Sequence, residues 1–125
     1  MNFKDNKPIY LQIAERLCDE ILQGKYEGDE RIPSVREYAA IVEVNANTVA
    51  RSFEHLQSNG IIYNKRGIGY FVAADAASVI ISLRKELFLN EVLPNLFKSM
   101  ATLGITFDEI KDLFNSYMNK KNKDV

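Results

Sequence analysis

A chain of 125 residues with 46% hydrophobic side chains has room for one packed core, or for one small domain and an appendage. Its 16 basic residues against 17 acidic ones leave a net charge of −1, which excludes a globally basic nucleic-acid coat and makes the placement of charge decisive. A lone cysteine, Cys18, and a lone histidine, His55, offer neither an internal disulfide nor a metal cluster. No stretch approaches the roughly 18 apolar residues of a membrane span, and the start MNFKDNKPIY lacks a signal-peptide pattern, so no cofactor, no metal and a cytoplasmic location are expected.

Residues 8–23 read as a helix. Pro8 suits a first turn, Tyr10, Ile13, Ala14, Leu17 and Ile21 share one arc, and Gly24 and Gly28 punctuate the end. Leu11, Cys18 and Leu22 fall outside that arc and point to a second surface. A second helix opens at Ser34, whose spacing to Glu37 is that of a capping box, and Val35, Tyr38, Ala39 and Val42 can face inward. Asn45 can cap a third helix running to Gly60, with Ala46, Val49, Ala50, Phe53 and Leu56 inside. Asn47, Arg51, His55 and Ser58 then point outward, with Thr48 near the edge.

Composition turns β-rich at residues 61–73. Ile61 to Tyr63 and Tyr70 to Val72 can pair as a hairpin with the basic tip Lys65-Arg66-Gly67-Ile68-Gly69, whose glycines permit positive φ and a close backbone approach. Between residues 31 and 72 five bases (Arg31, Arg36, Arg51, Lys65, Arg66) meet three acids (Glu37, Glu43, Glu54), a local surplus of two.

From Asp75 one long helix is expected to about Leu103, bent or broken near Asn90 to Leu93 by Pro94, which removes an amide from the ladder. Ile81, Phe88, Val92, Leu96, Met100 and Leu103 form one stripe of it, and Ile80, Leu83 and Leu87 a second. After Gly104 a last helix starts from a Thr106–Glu109 capping box. It is expected to bury Phe107, Ile110, Leu113, Phe114, Tyr117 and Met118 and to fray over its polar end at Asn119 to Lys123.

Three helices and a glycine-bearing hairpin in this order predict a mostly α fold with a small β-hairpin wing: a winged helix-turn-helix over residues 1–75, then a helical dimerisation tail over residues 76–125. The segments Ile32-Pro33-Ser34-Val35-Arg36, Val44-Asn45-Ala46-Asn47-Thr48-Val49, Leu56-Gln57-Ser58-Asn59-Gly60-Ile61-Ile62 and Gly67-Ile68-Gly69-Tyr70-Phe71-Val72 together resemble the GntR family of transcription regulators, over about half the chain. The remaining residues resemble the short two-helix tail of its YtrA-like subfamily in length and helical pattern.

The resemblance implies a sequence-specific regulator, in that subfamily a repressor, that binds double-stranded operator DNA as a homodimer. It implies that Arg36 contacts phosphate or base edges, that Asn45, Asn47 and Thr48 open a recognition helix, and that Lys65, Arg66 and Gly67 form the wing tip near DNA. Arg51 projects one turn beyond Asn47. Many members carry arginine where this chain has Ala46, and often a base where it has Ala50, so base reading is expected to lean on Asn47, Thr48 and Arg51.

The stripe Ile81, Phe88, Val92, Leu96, Met100 and Leu103 is the expected dimer seam. Two amphipathic helices close no pocket of several hundred Å³, so a small-molecule effector is left only the dimer interface. Neither the length nor any nucleophile–base arrangement supports catalysis. A winged helix used for protein contacts without DNA binding is the alternative.

Overall fold

The computed structural model describes residues 7–123; the ends of the two expected segments, residues 1–6 and 124–125, lie outside it. Its elements are α1 (Ile9–Leu22), α2 (Val35–Val42), α3 (Ala46–Ser58), β1 (Ile62–Lys65), β2 (Gly69–Val72), α4 (Ala76–Leu87), a π-helical turn (Phe88–Val92), α5 (Leu93–Leu103) and α6 (Phe107–Lys123). The chain divides into a first compact unit ending at Leu83 and a second beginning at Arg84.

In the first unit Pro8 is the N-cap of α1 rather than a residue of its first turn, its carbonyl accepting from the Leu11 and Gln12 amides. Ile13, Ala14, Leu17, Cys18 and Ile21 of α1 join Tyr38, Val49, Phe53, Leu56, Ile62 and Val72 in one core. Cys18 is thus a core residue, and Leu11 and Leu22 are half-buried. Phe53 is the hub: its ring lies 6.0 Å from that of Tyr38 and meets that of Tyr70 edge-on at 5.1 Å. Ala76 and Ile80 of α4 are buried in the same core, so the first half of that helix is packed there.

Two polar contacts tie the helices together inside this core. The Tyr38 hydroxyl donates to buried Glu20 at 2.5 Å, joining α2 to α1. Burial first, and this hydrogen bond second, push the Tyr38 hydroxyl well above the usual tyrosine range. Buried Ser52 of α3 donates to the Tyr10 carbonyl at 2.6 Å, fixing α3 against α1.

The hairpin pairs Ile62 with Val72, Tyr63 with Phe71, Asn64 with Tyr70 and Lys65 with Gly69, so β1 starts one residue and ends two residues later than the sequence pattern marks, leaving Ile61 outside it, and β2 starts one residue earlier. A third segment, absent from that pattern, lines the free edge of β2. Arg31 bridges antiparallel to Phe71, the Ile32 amide donates to the Tyr70 carbonyl at 3.0 Å, and the Val72 amide donates to the Glu30 carbonyl at 2.9 Å. These bonds cover an edge that would otherwise present open donors and acceptors.

In the second unit Pro94 is absorbed without a break in the helix. The ladder widens to a π turn ahead of the proline, the Leu93 amide reaching back five residues to the Phe88 carbonyl. Gly104 ends α5 in the left-handed conformation at φ 69°, and the Thr106–Glu109 capping box starts α6 with bonds of 2.8 and 3.2 Å. The expectation for α6 itself is corrected in two ways. Phe107, Leu113, Phe114 and Tyr117 are between 58% and 71% exposed, because amphipathic periodicity marks a face that must be covered without specifying that this chain covers it. The polar stretch Asn119 to Lys123 continues the helix.

Candidate nucleic-acid interface

The helix-turn-helix is built by local chemistry at both helix starts. Ser34 Oγ accepts from the Glu37 amide at 3.1 Å while a Glu37 carboxylate oxygen accepts from the Ser34 amide at 3.0 Å, closing the predicted box. These Ser34 bonds, with a smaller contribution from the charge of Arg31, hold the Glu37 carboxyl below its usual range. Glu43 closes α2 in the left-handed region at φ 57°, where the Val44 amide returns to the Ala39 carbonyl at 3.1 Å. Asn45 Oδ1 then accepts from the Asn47 amide at 2.8 Å and starts α3. Capping therefore occupies the Asn45 carbonyl oxygen and leaves its amide nitrogen free for a partner.

Along α3 Val49, Ser52, Phe53 and Leu56 face the core, and Asn47, Arg51 and Ser58 are exposed. Thr48 and His55 are half-buried at the border. Arg51 does not float free: its guanidinium lies over the Tyr10 ring at 4.0 Å, and His55 meets the same ring edge-on at 6.2 Å. A cation stacked on an aromatic face keeps its in-plane N–H donors available while losing freedom of the side chain. Arg36, at the start of α2, is exposed.

At the wing tip Lys65 and Arg66 are exposed and Gly67 takes φ 79°. A side chain at Gly67 would meet nothing within 4 Å, so the tip stands open to an incoming surface. Lys65 is steadied by the Phe71 ring at 4.5 Å, which stacks on Tyr63 at 5.7 Å. All eight expected contact residues thus lie in the first compact unit, on α2, α3 and the hairpin.

Sequence reasoning missed Arg31. Its signal is non-local: only the pairing of residues 29–32 with β2 carries this arginine to the wing. Among the described residues no group of three or more potential ligands is placed to hold a metal, and no helix is long and apolar enough to cross a membrane.

The pattern of the family described as bacterial regulatory proteins, gntR family, matches residues 9–72, from the start of α1 to the end of the wing. The chain belongs to the GntR family. Over 86% of its length it is 36% identical to the HTH-type transcriptional regulator YhcF of Bacillus subtilis, covering 88% of that protein. It is 28% identical to the HTH-type transcriptional repressor YtrA of the same organism, covering 87% of this chain and 83% of YtrA. Among solved structures, a GntR-family regulator from Bacteroides thetaiotaomicron superposes with a TM-score of 0.83 at 54% identity, over 91% of this chain and 99% of that one. The DNA-binding domain of AraR, solved in complex with its operator ORX1, superposes with a TM-score of 0.53 at 31% identity, over 58% of this chain and 90% of that one. The GntR assignment thus accounts for the mostly helical fold with its two-stranded wing.

Proposed function

We propose that this GntR-family chain is a cytoplasmic transcription repressor that binds operator DNA as a homodimer, α3 entering the major groove while the wing meets the adjacent backbone. The observation that carries the reading is the split of α3: one face is locked into the core through Val49, Phe53 and Ser52, and the opposite face offers Asn47 and Arg51 to solvent. Operator binding by the AraR domain, which resembles the winged unit, supports the DNA partner, and the repressor name of YtrA supports the sign of regulation.

In this reading Asn47 and Arg51 reach base edges, Thr48 and the Asn45 amide nitrogen serve the backbone or the border of the groove, and Arg36, Lys65, Arg66 and the Gly67 backbone neutralise or approach phosphates. The stripe Ile81, Phe88, Val92, Leu96, Met100 and Leu103 packs on a second copy. Two linked winged units then read two half-sites, and any effector acts at that interface.

Salt-dependent binding to a promoter fragment from the chain's own gene region and to mixed-sequence DNA tests the reading. Arg51→Ala is expected to weaken promoter binding more than mixed-sequence binding, whereas Arg66→Ala weakens both and lowers the slope of log affinity against log salt by about one per chain. Equal losses with unchanged slopes in both variants would remove the assignment.

A further inference from the structure

Arg31 is held at the wing by backbone bonds that do not depend on its side chain: the Arg31–Phe71 bridge, and flanking bonds from the Ile32 amide to the Tyr70 carbonyl and from the Asp29 amide to the Val72 carbonyl. Paired residues of a sheet point to the same face, and alternate residues share it. Arg31 therefore shares the outer face with Phe71, Tyr63, Lys65 and Gly69, while Ile62 and Val72 are buried in the core on the other face.

On that outer face the guanidinium reaches across β2 toward the base of the tip. A Cβ added to Gly69 would lie 3.0 Å from Arg31 Nε and 3.3 Å from one terminal nitrogen, so the guanidinium would have to shift by a few tenths of an ångström, on top of the backbone strain that any other residue meets at φ +144°. Gly69 pairs with Lys65, the residue before Arg66.

The neighbouring carboxylates form no ion pair with this cation, though Glu37 feels its charge. Asp29 accepts from the Tyr63 hydroxyl at 3.0 Å, and Glu37 accepts from the Ser34 amide. Arg31 is exposed, and no hydrogen bond or ion pair joins its side chain to a described residue. Five N–H donors in a fixed fork are thus left facing solvent between the wing and the start of α2, where Arg36 stands.

We infer that Arg31 is a further DNA contact, binding a backbone phosphate beside the wing, and that Gly69 lets its guanidinium lie close against β2. The inference rests on the DNA-binding reading above. It adds a phosphate anchor held by sheet backbone at β2 rather than by the turn at the tip.

The test is fluorescence anisotropy of the full-length chain on a mixed-sequence duplex of about 30 base pairs, titrated from roughly 50 to 300 mM salt, with Arg66→Ala as the reference variant. Arg31→Ala should lower affinity about three- to tenfold and make the log–log salt slope shallower by about one per chain, and Arg31→Lys should restore most of the slope. Gly69→Ala strains the backbone at φ +144° in either background, but it should weaken binding more in the wild-type background than in Arg31→Ala, because only there must the guanidinium also shift. If Arg31→Ala leaves the slope unchanged while Arg66→Ala lowers it, the arginine is no phosphate contact, and a lower affinity at unchanged slope would mark it as a prop for the wing; either result overturns the inference and leaves the DNA-binding reading standing. If the wild-type chain shows no salt-dependent binding at all, that reading itself fails.

Discussion

Phe53 in the winged unit is 1% exposed between the rings of Tyr38 and Tyr70, whereas in the unit that begins at Arg84 no side chain of the π turn, α5 or α6 is buried and Phe114 is 58% exposed. Both units are built from amphipathic helices with comparable apolar stripes. In the first the stripes of α1, α2, α3 and the hairpin face one another, and each large apolar side chain gains about 1.5–3 kcal/mol by leaving water. In the second that gain is still open within the chain, as the proposed pairing with a second copy requires. An apolar face therefore records a demand for cover, and only the spatial arrangement says whether the chain meets it alone.

The largest expected effect comes from removing the hub of the self-sufficient unit. Phe53→Ala should cost about 3–5 kcal/mol, enough to unfold much of a domain of ordinary stability, and the loss should not depend on protein concentration in thermal or urea melts. A loss below about 1 kcal/mol would mean that the first unit also leans on a partner.

Next comes Leu96→Asp in α5, a position 40% exposed in the single chain. An aspartate here costs the winged core nothing directly, but in the proposed symmetric seam it is buried twice without a partner. Sedimentation should show the dimer dissociation constant raised at least about 100-fold while the amide spectrum of the winged unit stays folded, and promoter affinity should drop toward that of a half-site. A variant that still dimerises would place the seam elsewhere, for instance on the exposed face of α6.

The two units also differ in how much of them could be read from the chain. Both capping boxes, the hairpin and the inner positions Val49, Phe53 and Leu56 follow from spacings of two to four residues, and such local rules act before any tertiary contact. What escaped was carried by distance in sequence. Ser52 carries no local signal of its role, which appears only when α1 brings the Tyr10 carbonyl to it from 42 residues away. Arg51 looks purely solvent-facing until Tyr10 supplies a ring, and Arg31 belongs to a loop until β2 pairs with it. In the tail the pattern identified apolar faces, but Phe107, Leu113 and Phe114 of α6 are left uncovered within the chain, because no periodicity encodes which molecule supplies the cover.

The smallest expected effect is also the most direct comparison of the units, since the same device starts a helix in each. Ser34 and Glu37 box the start of α2, and Thr106 and Glu109 box the start of α6, with matching bonds from amide to hydroxyl and from amide to carboxylate. Replacing either hydroxyl residue by alanine removes one acceptor and costs about 1 kcal/mol of local helix stability. The consequences should nonetheless differ. Helix α2 buries Tyr38 and Ala39 in the winged core, so Ser34→Ala should lower the global unfolding free energy by about that amount at any protein concentration. Helix α6 has no fully buried side chain in its own chain, only Ile110 and Met118 being half-buried, so Thr106→Ala should leave that unfolding transition nearly unmoved and appear as a loss of tail helicity that shrinks as protein concentration rises and a partner covers the exposed face. Circular dichroism melts of both variants over a hundredfold concentration range separate the cases. A concentration-independent loss for Thr106→Ala would show that α6 is stabilised within one chain, and the contrast between the two units would then shrink to a difference in how deeply each is packed.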